Sequence, residues 1–164
     1  LVKIRKIVMK HLVILTIILF MTIPLGAQTG TCKTEKKAVL SGEFGDIFEK
    51  EYTAYRPDES ILNRINLEDV QVTVILGLWC EDSQREVPRF LKIAESKPMS
   101  RVSVEYHVVN RDKFCPDPAI QELKVPFVPT FIFYRNGKEI GRMVESPEKT
   151  LEEDMLKILG PSSR

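Results

Sequence analysis

The chain has 164 residues, with 24 Lys and Arg set against 23 Asp and Glu, a formal net charge of +1. That length suits one domain of ordinary size with its own core. Basic residues are interspersed with carboxylates rather than clustered, which removes the electrostatic basis for binding nucleic acid. The sequence has no P-loop, dinucleotide fingerprint, internal repeat or glycosidase-like carboxylate pair.

Lys3, Arg5, Lys6 and Lys10 precede an apolar run from Leu12 to Ile23, Pro24 ends it, and Leu25-Gly26-Ala27 supplies small residues before Gln28. This pattern predicts a signal peptide over residues 1–27 and an exported protein, periplasmic or secreted. About a dozen apolar residues are few for a membrane span. An uncleaved N-terminal anchor is the alternative; beyond that leader nothing calls for a membrane. Losing residues 1–27 removes four basic side chains and takes the formal charge to −3.

Residues 28–43 are polar and lysine-bearing and read as a flexible lead-in, with Cys32 on it able to reach many places. Order is expected from Phe44. Phe44, Ile47, Phe48, Tyr52 and Tyr55 share one helical face, and Arg56-Pro57-Asp58 stops that helix and caps a short second one through Ile61, Leu62 and Ile65. Together they form an N-terminal helical extension, residues 44–69. Val70 to Leu78 is an almost continuous β-branched and aliphatic run, the pattern of a parallel strand covered on both faces. Gln84 to about Ser96 carries Val87, Phe90, Leu91 and Ala94 at helical spacing around Pro88. A second strand, about Val102 to Val109, leads to a loop and short helix near Asp117 to Leu123. "TFIFYRNGKEIGRMV" then alternates about Asn136-Gly137, which favours a type I′ hairpin. Pro147 to Leu159 reads as a closing amphipathic helix, with Leu151, Met155, Ile158 and Leu159 inward and Glu148, Lys149, Glu152 and Glu153 outward.

Trp79-Cys80 at the end of the first central strand, Pro88 eight residues after the cysteine, and Val128-Pro129-Thr130 ahead of the hairpin together resemble the thioredoxin family over about residues 70–159. The resemblance implies an α/β thioredoxin fold, a central mixed sheet of four or five strands flanked by helices, with the domain extending over 44–164. It implies a cis Val128–Pro129 bond facing a reactive sulfur. In that frame Cys80 sits where a helix begins and unsatisfied N–H groups favour an anion. The thiolate is the form that attacks disulfides. Trp79 shields the sulfur, and Val128, Pro129 and Thr130 offer an edge on which an extended client segment can pair.

Ser83 stands where the family's Cys-x-x-Cys has its resolving cysteine, and Val74 where members often carry a buried acid. A hydroxyl carries no disulfide, so Ser83 is expected to donate a hydrogen bond to the Cys80 sulfur. A captured client then waits for another thiol. Cys115, in the loop after the second strand, is the candidate resolving cysteine, since that loop opens on the same sheet edge. Glu81 and Asp82 oppose the helix terminus. At about 6 Å a carboxylate interacts by roughly 0.7 kcal/mol in water and about 2.8 kcal/mol at an effective dielectric of 20, against about 0.3 to 2 kcal/mol from the terminus. Arg85 is placed to offset Glu81. His107 reads as a packed histidine, and Glu145 falls where the family usually keeps a glycine beside the groove.

The sequence therefore reads as an exported monothiol protein of thioredoxin type, an oxidoreductase or isomerase that forms mixed disulfides with client proteins carrying thiols or disulfides. It is served by Cys115 or an external reductant thiol, and no metal, nucleotide or other cofactor is called for. Two alternatives stand beside it: a binding module whose clients dock without covalent chemistry, and a dithiol reductase using Cys80 and Cys115.

Overall fold

Five strands hydrogen-bond in the order β1-β3-β2-β4-β5 in the computed structural model, which describes residues 30–40 and 44–163. The leader, residues 1–27, lies outside the described residues. β2 (Val70–Leu76) is central, parallel to β3 (Ser103–Val108) on one side and antiparallel to β4 (Thr130–Arg135) on the other. β5 (Lys138–Val144) closes a hairpin with β4. Asn136 and Gly137 both take positive φ, 52° and 73°, as a type I′ turn requires.

The side chains of Val70, Val72, Val74 and Leu76 enter the main core together with Tyr106, Phe131 and Phe133. Four helices supply the other wall of that core. They are α1 (Lys36–Leu40) with α2 (Gly45–Ala54), through Val39 and Phe48, and α4 (Glu81–Ala94) with α6 (Leu151–Leu159), through Val87, Phe90, Leu91, Ile93, Leu151, Met155 and Leu159. Leu62 of α3 (Glu59–Leu62) completes it. Pro88 lies inside α4 without ending it, and the Phe90 and Phe131 rings stack with centroids 4.8 Å apart. The opposite face of β2 differs from expectation. Gln71 is exposed and Thr73 half-buried, and cover arrives at Ile75. The five-residue α5 (Pro118–Glu122) is too short to roof the whole sheet. A second, small cluster of Ile75, Val109, Cys115 and Val128 forms there, at the carboxyl end of β2.

Three further expectations need correction. Residues 30–40 are not a free lead-in: β1 (Lys33–Thr34) pairs antiparallel with β3, Lys33 opposite His107 and Thr34 opposite Tyr106, and Val39 is 1% exposed. A two-residue strand is too short to leave a period in the sequence. The closing helix begins at Leu151 rather than Pro147, because the Thr150 side chain accepts the Glu153 N–H and caps it. Glu152 points inward, not outward. At 2% exposure its carboxylate accepts the Tyr55 hydroxyl at 2.9 Å and the Asp58 N–H at 3.1 Å, tying the α2–α3 corner to α6. Burial, and then the charge of Glu152, hold the Tyr55 phenol above its ordinary pKa. A buried acceptor serving two donors is costly to remove. Glu152→Ala is expected to lower unfolding stability by about 1–3 kcal/mol in denaturant titration, while Glu153→Ala, one residue on, changes it by under about 0.5 kcal/mol.

Candidate functional site

The end of β2 runs into a tight turn, Gly77 to Cys80, closed by the Cys80 N–H on the Gly77 carbonyl at 2.9 Å. Trp79 folds its indole back over Gly77, where a Cβ would lie 2.8 Å from the ring. Any side chain at 77 would displace the tryptophan. The Arg111 guanidinium lies over the ring at 5.5 Å. Cys80 is the N-cap residue of α4 with extended backbone, φ −93° and ψ 124°, and its carbonyl accepts the Gln84 N–H at 2.9 Å.

Cys80 is half-buried and free of any disulfide. Its thiol donates to the Val128 carbonyl at 3.1 Å, and the Val128–Pro129 bond that follows is cis. The edge behind it is built by β4: Thr130 is buried and donates its hydroxyl to the Phe127 carbonyl at 2.7 Å. On the other flank the Glu145 N–H donates to the Pro129 carbonyl at 2.7 Å. Glu145 has φ 62°, in the left-handed region that favours glycine, at a cost on the order of 1 kcal/mol. The carboxylate at the glycine position thus comes with backbone strain. Trp79, Cys80, Val128, Pro129 and Thr130 are brought together at one sheet edge.

Ser83 takes a different role from the one expected. It is fully buried, and its Oγ accepts the Gly77 N–H at 3.2 Å while the Cys80 sulfur turns to Val128. The Gln84 amide donates to the Leu78 carbonyl at 2.7 Å. Side chains from the first turn of α4 therefore satisfy the backbone of the turn before it. Arg85 also departs from expectation, pairing with Asp82 and Glu86 and reaching the Ser146 hydroxyl at 2.7 Å. Glu81 is exposed and holds no ion pair among the described residues.

Cys115 does not pair with Cys80. Its sulfur is bonded to Cys32, with the Cα atoms 5.7 Å apart. A bridged sulfur is no free resolving thiol, so the dithiol pairing of Cys80 with Cys115 is absent from this state. The reason is β1, which carries Cys32 along β3 to the loop that holds Cys115. Cys115 lies at the carboxyl end of β2 with Ile75, Val109 and Val128, while residues 28–43 carry no period that marks the strand delivering its partner. His107 is 4% exposed, and its Nδ1 lies 3.8 Å from the Cys32 sulfur. Burial lowers its pKa, opposed by the Glu105 carboxylate. Two exposed aromatics that sequence patterns did not flag, Phe114 and Phe127, each adjoin a site residue, Cys115 and Val128.

Residues 48–157 match the family model described as thioredoxin. A thioredoxin-like protein of Acanthamoeba polyphaga mimivirus is 27% identical over 78 residues, 48% of this chain and 54% of that protein. A thioredoxin of Alternaria alternata is 29% identical over 82 residues, 50% of this chain and 64% of that protein. The chain thus spans less than two thirds of the length of either relative. Among solved structures, a thioredoxin of Malassezia sympodialis aligns with a TM-score of 0.45 and 26% identity, covering 57% of this chain and 80% of that one. Thioredoxin O2 of Arabidopsis thaliana aligns at 0.43 and 24%, covering 62% and 85%. The family match begins at residue 48, inside α2. A match from residue 48 to 157, borne on the β1-β3-β2-β4-β5 sheet with a helix starting after Cys80, makes this chain a member of the thioredoxin family.

Proposed function

We propose that the protein performs thiol–disulfide exchange through Cys80, acting as a monothiol that captures client proteins in mixed disulfides outside the cytoplasm. The observation that carries this reading is the Cys80 sulfur, free, half-buried and 3.1 Å from the Val128 carbonyl at the head of the cis Val128–Pro129 edge. An extended client segment laid along that edge brings its own disulfide to the sulfur. Cys80 gives up its proton, its thiolate attacks one client sulfur, and the other client sulfur leaves with the electron pair of the broken bond. Ser83 has no second sulfur with which to expel the client. The thiol's hydrogen bond to Val128 is lost as the backbone edge turns to the client, so one group serves both to hold the resting thiol and to receive the segment.

Export is supported by the leader pattern and by the Cys32–Cys115 disulfide, because such bonds persist in oxidising compartments. The client class is proteins carrying accessible disulfides or thiols; release is assigned to an outside thiol.

Mixed with a peptide that contains one disulfide, the wild-type protein is expected to accumulate a covalent adduct on non-reducing gels, and Cys80→Ser to form none. Peptide binding that survives Cys80→Ser unchanged would establish the non-covalent binding module instead. Ser83→Cys is expected to stop the adduct accumulating, because the new thiol closes a disulfide with Cys80 and releases the peptide with both sulfurs of its disulfide reduced to thiols. Ser83→Ala tests the corrected role of that hydroxyl. Leaving the buried Gly77 N–H without an acceptor is expected to cost about 1–3 kcal/mol of stability with the rate of adduct formation within about threefold of wild type, whereas a hydroxyl supporting the thiolate directly would lower that rate about tenfold or more.

A further inference from the structure

The described cysteines converge on one apolar patch. Cys115 is a buried member of the small cluster with Ile75, Val109 and Val128, and Cys32 and Cys80 both pack against that cluster. Cys115 is 1% exposed, so a thiol in solution has no path to its sulfur. Cys80, the free thiol, packs against the same cluster that holds Cys115. Both sulfurs of the bridge have a polar partner. The Asp117 N–H donates to Cys115 Sγ at 3.4 Å, and His107 Nδ1 sits 3.8 Å from Cys32 Sγ. His107 is buried, and its Nε2 has no hydrogen-bond partner; the nearest carboxylate, on Glu105, is 3.7 Å away. A purely structural bridge needs neither contact, because a disulfide sulfur is a weak acceptor, whereas a departing thiolate is a strong one.

We propose that the Cys32–Cys115 disulfide is a second redox centre that exchanges with Cys80. This rests on the exchange chemistry assigned to Cys80 above. Cys80 loses its proton to water and its thiolate attacks Cys115 Sγ. The Cys80–Cys115 bond forms as the Cys32–Cys115 bond breaks, and Cys32 leaves with the electron pair and takes a proton through His107, which is replenished from water. One disulfide and one thiol exist before and after, so no outside oxidant or reductant takes part. His107 is a positioning residue for the leaving Cys32. The consequence is a Cys80 with two states: a thiol that captures client disulfides, and a disulfide that captures client thiols. In the second state a client thiolate attacks Cys80 and expels Cys115, a second client thiol then expels Cys80, and the client leaves oxidised by two electrons.

The test uses a chromogenic aryl disulfide that releases one coloured thiol per attack. Wild type is expected to release one equivalent and to keep the aryl adduct on Cys80. Cys32→Ser, with Cys115 unbridged, is expected to release two equivalents and end with a Cys80–Cys115 disulfide by peptide mass. One equivalent and a persistent Cys80 adduct in Cys32→Ser would overturn the exchange while leaving the Cys80 reading intact; no coloured thiol from folded wild type would overturn that reading itself. In oxidised wild type, acid quenching and alkylation at timed intervals after alkaline activation are expected to find part of the free thiol on Cys32. His107→Gln is expected to slow its appearance about tenfold or more and to flatten its dependence on pH, with aryl disulfide attack at Cys80 within twofold of wild type. A free thiol that never leaves Cys80, or a His107→Gln variant with unaltered rate and pH profile, would contradict the relay or the role of His107 respectively.

Discussion

The place of β2 between β3 and β4 is the constraint from which the chemistry follows. Because β2 runs parallel to β3, Leu76 is level with Val108 and both strands end together. Because it runs antiparallel to β4, Ile75 is level with Thr130 and β4 starts where β2 finishes. Cys80 just beyond β2, Cys115 in the loop beyond β3, and Val128-Pro129 just before β4 have nowhere else to meet. The sulfur-to-carbonyl contact between Cys80 and Val128 is the visible outcome of that register. A slip of one residue in β4 would turn Phe131 and Phe133 out of the main core, so the core that stabilises the sheet also fixes the groove.

Burial is uneven across the sheet, and the site occupies the thin side. Four of the helices pack apolar side chains onto one face, while the other face is covered at its carboxyl end by a handful of residues around Cys115. The Cys32–Cys115 bridge closes a loop of sequence separation 83 across this patch. Bonds of that kind contribute about 2–4 kcal/mol. Lys33 and Glu105, paired at 2.6 Å but both about half exposed, add little by comparison. The bridge thus adds a covalent tie to the backbone pairing of β1 with β3, at the place where apolar cover is least.

Patterns that repeat along the chain were legible, and contacts made by single residues were not. The run from Val70, the helical spacing of Val87, Phe90 and Leu91, and the alternation about Asn136-Gly137 each contain enough periods to identify an element and its buried face. Trp79-Cys80 and Val128-Pro129-Thr130 were readable because their positions relative to those elements are fixed by topology. β1 was hidden since two residues carry no period, and with it went the pairing of Cys32. Polarity alone places Glu152 in solvent, yet a carboxylate that finds the Tyr55 hydroxyl and a backbone N–H is stable inside. Ser83 departs from its expected partner for a related reason. Its nearest unmet demand was a buried backbone N–H at Gly77, which outranks a sulfur that already has a carbonyl to bond.

Charge around the thiol is finely divided. Asp82 is engaged by Arg85 and joined through it to Ser146, beside the strained Glu145, so the first turn of α4 is tied to the far wall of the groove. Glu81 stays in solvent, where its opposition to an anion is screened. What remains near the sulfur is the start of the helix, the indole of Trp79 and the peptide edge, an arrangement that leaves a half-buried thiol at the sheet edge rather than one sealed in the core. The most direct test of this is the reaction of the folded, non-reduced protein with a thiol-specific alkylating reagent, followed by peptide mass mapping. Rapid modification of Cys80 is expected in the native state, at a rate that unfolding raises little. A Cys80 that is modified only after the chain unfolds would contradict it.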